Sequence, residues 1–298
     1  MDAYTTSKEE IRQFTDSLSV KALDWNTTKQ SFKEVSLLQL KELKMDAIIV
    51  KNFLSPIEIQ TLLDKLFQTH ENKPPYKVSR TYPFSFFQLD RQEPNFTTIL
   101  NTYYKQSKQF KKTFYSSFGV DMEQKFSEIL TLLNQDNPAK VFEPIDDGSC
   151  IPFTFRIVAP EKNHIQLHTD NMFQQFAPEF YRNLSSMVEA HNQLSFFTVL
   201  QKPEIGGELS ICNVTWDVAK DFNIENQSII LENGIHLHTN NPNELFVEKF
   251  DLNEGDLVVF AGGQLYHRIE EVYGNKARIT MGGFIGYSKE NDDVYYWS

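Results

Sequence analysis

A chain of 298 residues has room for one large β-rich domain or two small ones, and 40% hydrophobic with 23% charged residues is the composition of a globular protein with a real core. The formal charge of −11 argues against a nucleic-acid partner, which needs a basic stripe for phosphates, and against an anionic membrane surface. Two cysteines, Cys150 and Cys212, with no C-x-x-C pair, exclude a disulfide scaffold and a thiolate zinc site.

In chain order, residues 7–19 (SKEEIRQFTDSLS) have the pattern of a modest amphipathic helix, and Asp46–Leu54 reads as a strand. Ser55, Pro56 and Glu58 form a strong helix start, with Ile59, Leu62, Leu63, Leu66 and Phe67 on one apolar face behind them. Helices are expected over residues 96–118 and 121–135, the second with Phe126, Ile129, Leu130 and Leu133 on one side. After residue 150 the texture changes. Phe153–Ala159, Ile165–Asp170, Gln193–Gln201, Gly207–Trp216, Glu244–Phe250, Asp256–Phe260 and Ala277–Tyr287 read as strands, separated by turns such as PEIGG, TNNPN, NEGD and YGNK. A helix over Ala177–Glu189 interrupts them. Many short, closely spaced strands indicate a sandwich, jelly roll or barrel.

Alternate residues of a strand share a face. In HIQLHTD, His164, Gln166, His168 and Asp170 therefore point the same way. His168 and Asp170 can offer an imidazole nitrogen and a carboxylate oxygen to one point, two members of a 2-His-1-carboxylate site that leaves positions open on iron(II). An H-x-D alone is a weak signal. Far downstream, DLVVF, Gly262-Gly263 and LYHRI read as strand, turn and strand, with His267 on the face of Leu265 and Ile269. A histidine on an apolar face is more often a satisfied core residue than a ligand. Arg278 follows on the next strand, with Thr280 on the same face. A guanidinium beside a hydroxyl suits a carboxylate, and the apolar surroundings ITMGGFIGY speak against a mere surface arginine.

H-x-D, a distant His, then Arg with Ser or Thr two residues on: this order resembles the iron(II)/2-oxoglutarate-dependent oxygenases. Gly206-Gly207-Glu208-Leu209 resembles their G-G-E strand. The resemblance implies an α+β, mainly β fold: a double-stranded β-helix (distorted jelly roll) with flanking N-terminal helices. It implies one domain over residues 1–298, mostly helical with the first strands to residue 149, the jelly-roll core carrying the metal site from residue 150. It implies His168, Asp170 and His267 as metal ligands, Arg278 and Thr280 as the 2-oxoglutarate-binding pair, and Fe(II), 2-oxoglutarate and O2 as cofactor and cosubstrates. The run from Phe260 to Ser298 is similar to the carrier-independent halogenases that act on hapalindole-type indole alkaloids. In those enzymes the position matching Asp170 is a glycine, which leaves a coordination site for halide. The carboxylate here speaks for hydroxylation.

The expected activity is hydroxylation of an aliphatic C–H of a small molecule, an amino acid derivative or an alkaloid, with release of succinate and CO2. A protein side-chain hydroxylase and a non-catalytic jelly-roll binding protein are the alternatives. Arg156 alternates with Phe155 and Ile157, and reads equally as a carboxylate receptor or a structural ion pair. Asn171 and Phe173 are pocket or loop-packing residues, and His164 is a rim residue. His236 and His238 form an H-x-H pair discounted because TNNPN beside it reads as an exposed hairpin tip. The polar N-terminus and the absence of an apolar run near ~20 residues lead to the expectation of a cytoplasmic protein with no membrane partner.

Overall fold

The structure is a computed structural model that describes residues 14–68, 74, 78–86, 89, 95–223 and 228–298. The helix expected over residues 7–19 lies outside these as far as residue 13, and residues 14–19 are turn and loop. Strand β1 (Val20–Asp24) follows, then the short helix α1 (Leu37–Lys41) and strand β2 (Ala47–Lys51), parallel to β1. Helix α2 (Pro56–Gln68) begins where its capping box sets it. The Ser55 N–H donates to the Glu58 carboxylate at 2.8 Å and the Glu58 N–H donates to Ser55 Oγ at 3.4 Å. Its apolar face, Ile59, Leu62, Leu63 and Leu66, is buried. Strand β3 (Arg80–Tyr82) precedes two longer helices, α3 (Phe96–Phe118) and α4 (Met122–Leu133), and strand β4 (Ala139–Val141). α3 stops at Gly119, whose φ of +76° closes the last turn, and Asp121 caps α4 through the Gln124 N–H at 3.0 Å.

The remaining elements are mainly strands. They are β5 (Thr154–Val158), β6 (Asn163–His168), the helices α5 (Phe173–Phe176) and α6 (Pro178–Leu184), and β7 (Val188–Gln201). Then come β8 (Ile205–Gly206), β9 (Leu209–Thr215), β10 (Ala219–Asn223), β11 (Ser228–Leu231), β12 (His236–His238) and β13 (Val247–Phe250). The last four are β14 (Leu257–Phe260), β15 (Leu265–Tyr273), β16 (Arg278–Ser288) and β17 (Val294–Trp297). The helix expected over Ala177–Glu189 is shorter: Pro178 opens it, and Val188 and Glu189 already belong to β7. Val188 and Ala190 bury into an aromatic cluster, and that burial extends the strand beyond its sequence signal.

Three sheets result, giving an α+β protein that is mainly β. The large one runs β1-β2-β14-β7-β16-β17-β4, with β5 also paired to β16 and β3 to β5. A second runs β13-β9-β15-β6, with β8 paired to β15. Between β5 and β16 the chain passes repeatedly from one of these sheets to the other. The third sheet, β10-β11-β12, carries His236 and His238 on a paired strand and not at a hairpin tip. The N-terminal strands extend the large sheet and cover the edge that β14 would otherwise present.

The largest apolar cluster joins α2, α4 and the inner residues of the large sheet. A second, strongly aromatic cluster gathers Phe86, Tyr103, Tyr104, Phe180, Tyr181, Phe284 and Trp297 around Cys150. Cys212 sits in a third cluster with Leu167, Val214 and Tyr266, so the two thiols are buried in separate places and both are free. Burial pushes both thiols up, Cys212 to about 12. Among the described residues no helix is long and apolar enough to cross a membrane.

Candidate metal centre and carboxylate pocket

His168 ends β6 and is the direct register partner of His267 on β15, so the two imidazoles leave adjacent strands side by side. Their rings lie 4.3 Å apart. Asp170 is not the next residue but one along a strand, as strict alternation expects. β6 stops at His168, and Asp170 opens a 3₁₀ turn, Asp170–Met172. That turn carries the carboxylate back over the two rings. Asp170 Oδ1 stands 3.6 Å from His168 Nε2 and 3.7 Å from His267 Nε2. The three ligand atoms lie within 4.8 Å of one another, a spacing that can hold a metal ion.

The supports explain why these atoms converge. His168 Nδ1 lies 2.7 Å from the Gln166 carbonyl, and His267 Nδ1 2.9 Å from the Leu265 carbonyl. A carbonyl only accepts, so each Nδ1 carries the proton and each Nε2 turns a free lone pair toward Asp170. Burial, and next the neighbouring His267, push His168 down to about 4, so its ring is neutral. Asp170 itself is 2% exposed. Its N–H donates to the Gly262 carbonyl at 2.8 Å, its Oδ2 accepts from the Ser195 hydroxyl, and its carbonyl accepts from Gln193 Nε2 at 3.3 Å. Gly262 has no room for a side chain: a Cβ there would lie 2.3 Å from Ser195 Oγ and 2.4 Å from Asp170 Oδ2. Phe260 packs edge-on against His267 at 4.9 Å, and Phe173 stands 5.5 Å from His168. Ser195 and Gly262 carried no signal in the sequence, because a lone serine and a glycine pair have many ordinary uses.

Arg278 and Thr280 lie on one face of β16, and both are buried, at 4% and 1% exposure. Arg278 Nη1 reaches Thr280 Oγ1 at 3.5 Å, and the guanidinium lies 5.0 Å over the Phe197 ring. Burial, and then the charge of Arg156, pull Arg278 down to about 9. The nearby Glu208 charge offsets this only in part. Gly207, at φ +73°, places its backbone where a Cβ would come 3.2 Å from Arg278 Cδ, so the G-G-E segment walls the arginine closely.

The other singled-out residues divide. Asn171 is buried and ties its turn to β7, donating to Asn192 Oδ1 at 2.9 Å and accepting the Asn192 N–H at 3.0 Å. Loop packing accounts for it. His164 is exposed at the outer end of β6, near the Lys162 carbonyl. Arg156 pairs in register with Thr280 and points to the same side of the sheet.

Two imidazole nitrogens and one carboxylate form a donor set suited to iron(II). Fold and site together define a 2-oxoglutarate-dependent oxygenase that uses iron(II). Within that class, residues 20–298 match the family described as carrier-protein-independent halogenase WelO5, and the chain belongs to it. Among solved structures, the N-substituted L-amino acid dioxygenase of Burkholderia ambifaria AMMD superposes with a TM-score of 0.54 at 14% identity, covering 91% of each chain. The same dioxygenase in complex with alpha-KG gives a TM-score of 0.56 at 14% identity, covering 88% of this chain and 89% of that one. At that identity the likeness is one of fold. No curated protein matches the sequence.

Proposed function

We propose that the protein hydroxylates an aliphatic C–H of a small molecule, with 2-oxoglutarate converted to succinate and CO2. The observation that carries this reading is Asp170. A carboxylate oxygen shares a point with two free imidazole nitrogens, at the position where the halogenases named above have a glycine. The ligand position that a halide would need is taken by protein. The strand order in the two larger sheets supports a double-stranded β-helix, and the shared core supports one domain over the described residues. The N-substituted amino acids named for the solved dioxygenase favour a small substrate over a protein side chain.

In this reading His168, Asp170 and His267 hold iron(II) on one side. Arg278 and Thr280 receive the distal carboxylate of 2-oxoglutarate, the guanidinium as a charged donor and the hydroxyl as a neutral one. When bound, iron and 2-oxoglutarate together supply an oxidant that delivers one oxygen atom of O2 to succinate and the other to the substrate. Ser195 and the Gly262 carbonyl keep Asp170 aimed at the metal, a support on which metal affinity depends. Phe173, Phe260 and Phe284 line the surroundings with apolar rings that keep water away from the reacting carbon.

The test is an anaerobic titration of metal-free protein with iron(II) and then 2-oxoglutarate, following the weak visible charge-transfer band. The expected result is a band in the wild type that is lost in His168→Ala, followed by succinate release and an oxygen-18 label in product from a screen of amino acid derivatives and alkaloids. A wild type that forms no band and binds iron no better than His168→Ala would overturn the reading. A chlorinated product from the same screen would overturn hydroxylation alone.

A further inference from the structure

We propose that Arg156 is a second carboxylate receptor, on the sheet face that carries Arg278 and Thr280 and on the side of Arg278 toward Phe284 and Ser195. The inference rests on the reading above and deepens it. Arg156 sits on β5 opposite Thr280 of β16, so its side chain rises from the sheet face that also carries Arg278. Its guanidinium lies 5.2 Å over the Phe284 ring. Phe284 is the register partner of Ser195, which hydrogen-bonds Asp170. A path of neighbours thus runs from Arg156 across Phe284 and Ser195 to the metal-facing carboxylate.

Electrostatics give the same order. The Asp170 charge favours a charged Arg156, and the Arg156 charge opposes that of Arg278. Arg278 shows no such influence from Asp170.

A purely structural arginine in a half-buried position is normally paired, because desolvating an unpaired cation is costly. Among the described residues Arg156 has no hydrogen bond and no ion pair; its one close partner is the face of Phe284. Asp170 Oδ2 accepts from Ser195, and Oδ1 faces the two imidazole Nε2 atoms. Burial depresses the guanidinium, yet the residue keeps accessible surface. Five planar donors over an apolar ring, open on one side, suit a carboxylate. That carboxylate has two possible sources: the one next to the keto group of 2-oxoglutarate, or one carried by the substrate.

The experiment uses full-length protein loaded anaerobically with iron(II), comparing wild type, Arg156→Gln and Arg156→Lys by the charge-transfer band. If the cosubstrate is the source, Arg156→Gln weakens 2-oxoglutarate about 10-fold or more and Arg156→Lys recovers part of the loss. If the substrate is the source, 2-oxoglutarate binding is unchanged. Acetate, but not acetamide, then perturbs the band of the loaded wild type, and Arg156→Gln loses that response. An Arg156→Gln protein with the wild-type unfolding temperature that changes neither readout overturns the proposal. Should Arg156→Gln fail to fold, Arg156→Lys is read alone, since it keeps the charge and loses the fork: wild-type behaviour on both readouts overturns the proposal. A wild type without any band sinks the parent reading instead, so the two failures are distinguishable.

Discussion

Among the described residues two places bring histidines next to a carboxylate, and only one of them gathers a donor set that could hold a metal ion. On β12, His238 Nδ1 lies 2.8 Å from Glu244 Oε2, and His236 Nδ1 lies 3.2 Å from Ser228 Oγ. Both His238 and Glu244 are open to solvent, with side-chain exposures of 45% and 36%. The Glu244 carboxylate also accepts the His238 N–H at 3.0 Å and the Asn241 amide at 2.7 Å. Its oxygens are consumed in closing a turn. At the other place, each Nδ1 is satisfied by a carbonyl two residues back on its own strand, and the Nε2 atoms are left over. The lesson is that proximity of ligand types is not a site. What makes one is a set of supports that spends the wrong atoms and spares the right ones.

The largest contrast is expected from removing one histidine at each place. His168→Ala or His267→Ala should abolish stoichiometric iron(II) binding measured by anaerobic calorimetry, while His238→Ala should bind as the wild type does; equal losses would break the distinction. Next in size is Arg278→Gln. It leaves a carboxylate without its buried partner, so 2-oxoglutarate affinity should fall by about 30-fold or more with iron binding intact. Ser195→Ala keeps every ligand and removes only the hydroxyl that holds Asp170. Iron affinity should weaken by about 10–100-fold, the range found for partners that orient a ligand.

The smallest effect concerns pH. His168 is near 6.5 when unfolded and is pushed down to about 4 by burial in the fold. Between those values the unfolded chain binds the proton and the native one does not, so the metal-free protein should lose stability as pH falls from 6.5 toward 4. Urea unfolding of the metal-free protein at pH 7 and pH 5 measures this, and His168→Gln should flatten the difference.

Helix α2 was legible because Ser55, Pro56 and Glu58 specify a start by local chemistry, and α4 because its apolar side repeats over three turns. The strands bearing the site were legible from alternation and turn residues. The three candidate donors were picked from their order along the chain, and the fold brings their ligand atoms within 4.8 Å of one another. Asp170 shows where alternation stops being a guide: the residue turns out of the strand, and the Gly262 carbonyl catches its N–H. β1 and β4 were not read, since their parallel pairings are made with partners distant in sequence and no local pattern encodes that. Arg156 was balanced between two readings by the sequence, and only its position over Phe284, without a partner, separates them.

The two buried thiols also make the protein its own reporter. A maleimide or similar alkylating reagent reacts only with a thiolate it can reach, and Cys150 and Cys212 are each sealed in a different apolar cluster. Labelling of Cys150 therefore times the opening of the aromatic cluster, and labelling of Cys212 times the separation of the smaller sheets. Followed peptide by peptide in a mass spectrometer, the pair would tell whether iron and 2-oxoglutarate tighten the whole molecule or only the half that holds Phe284.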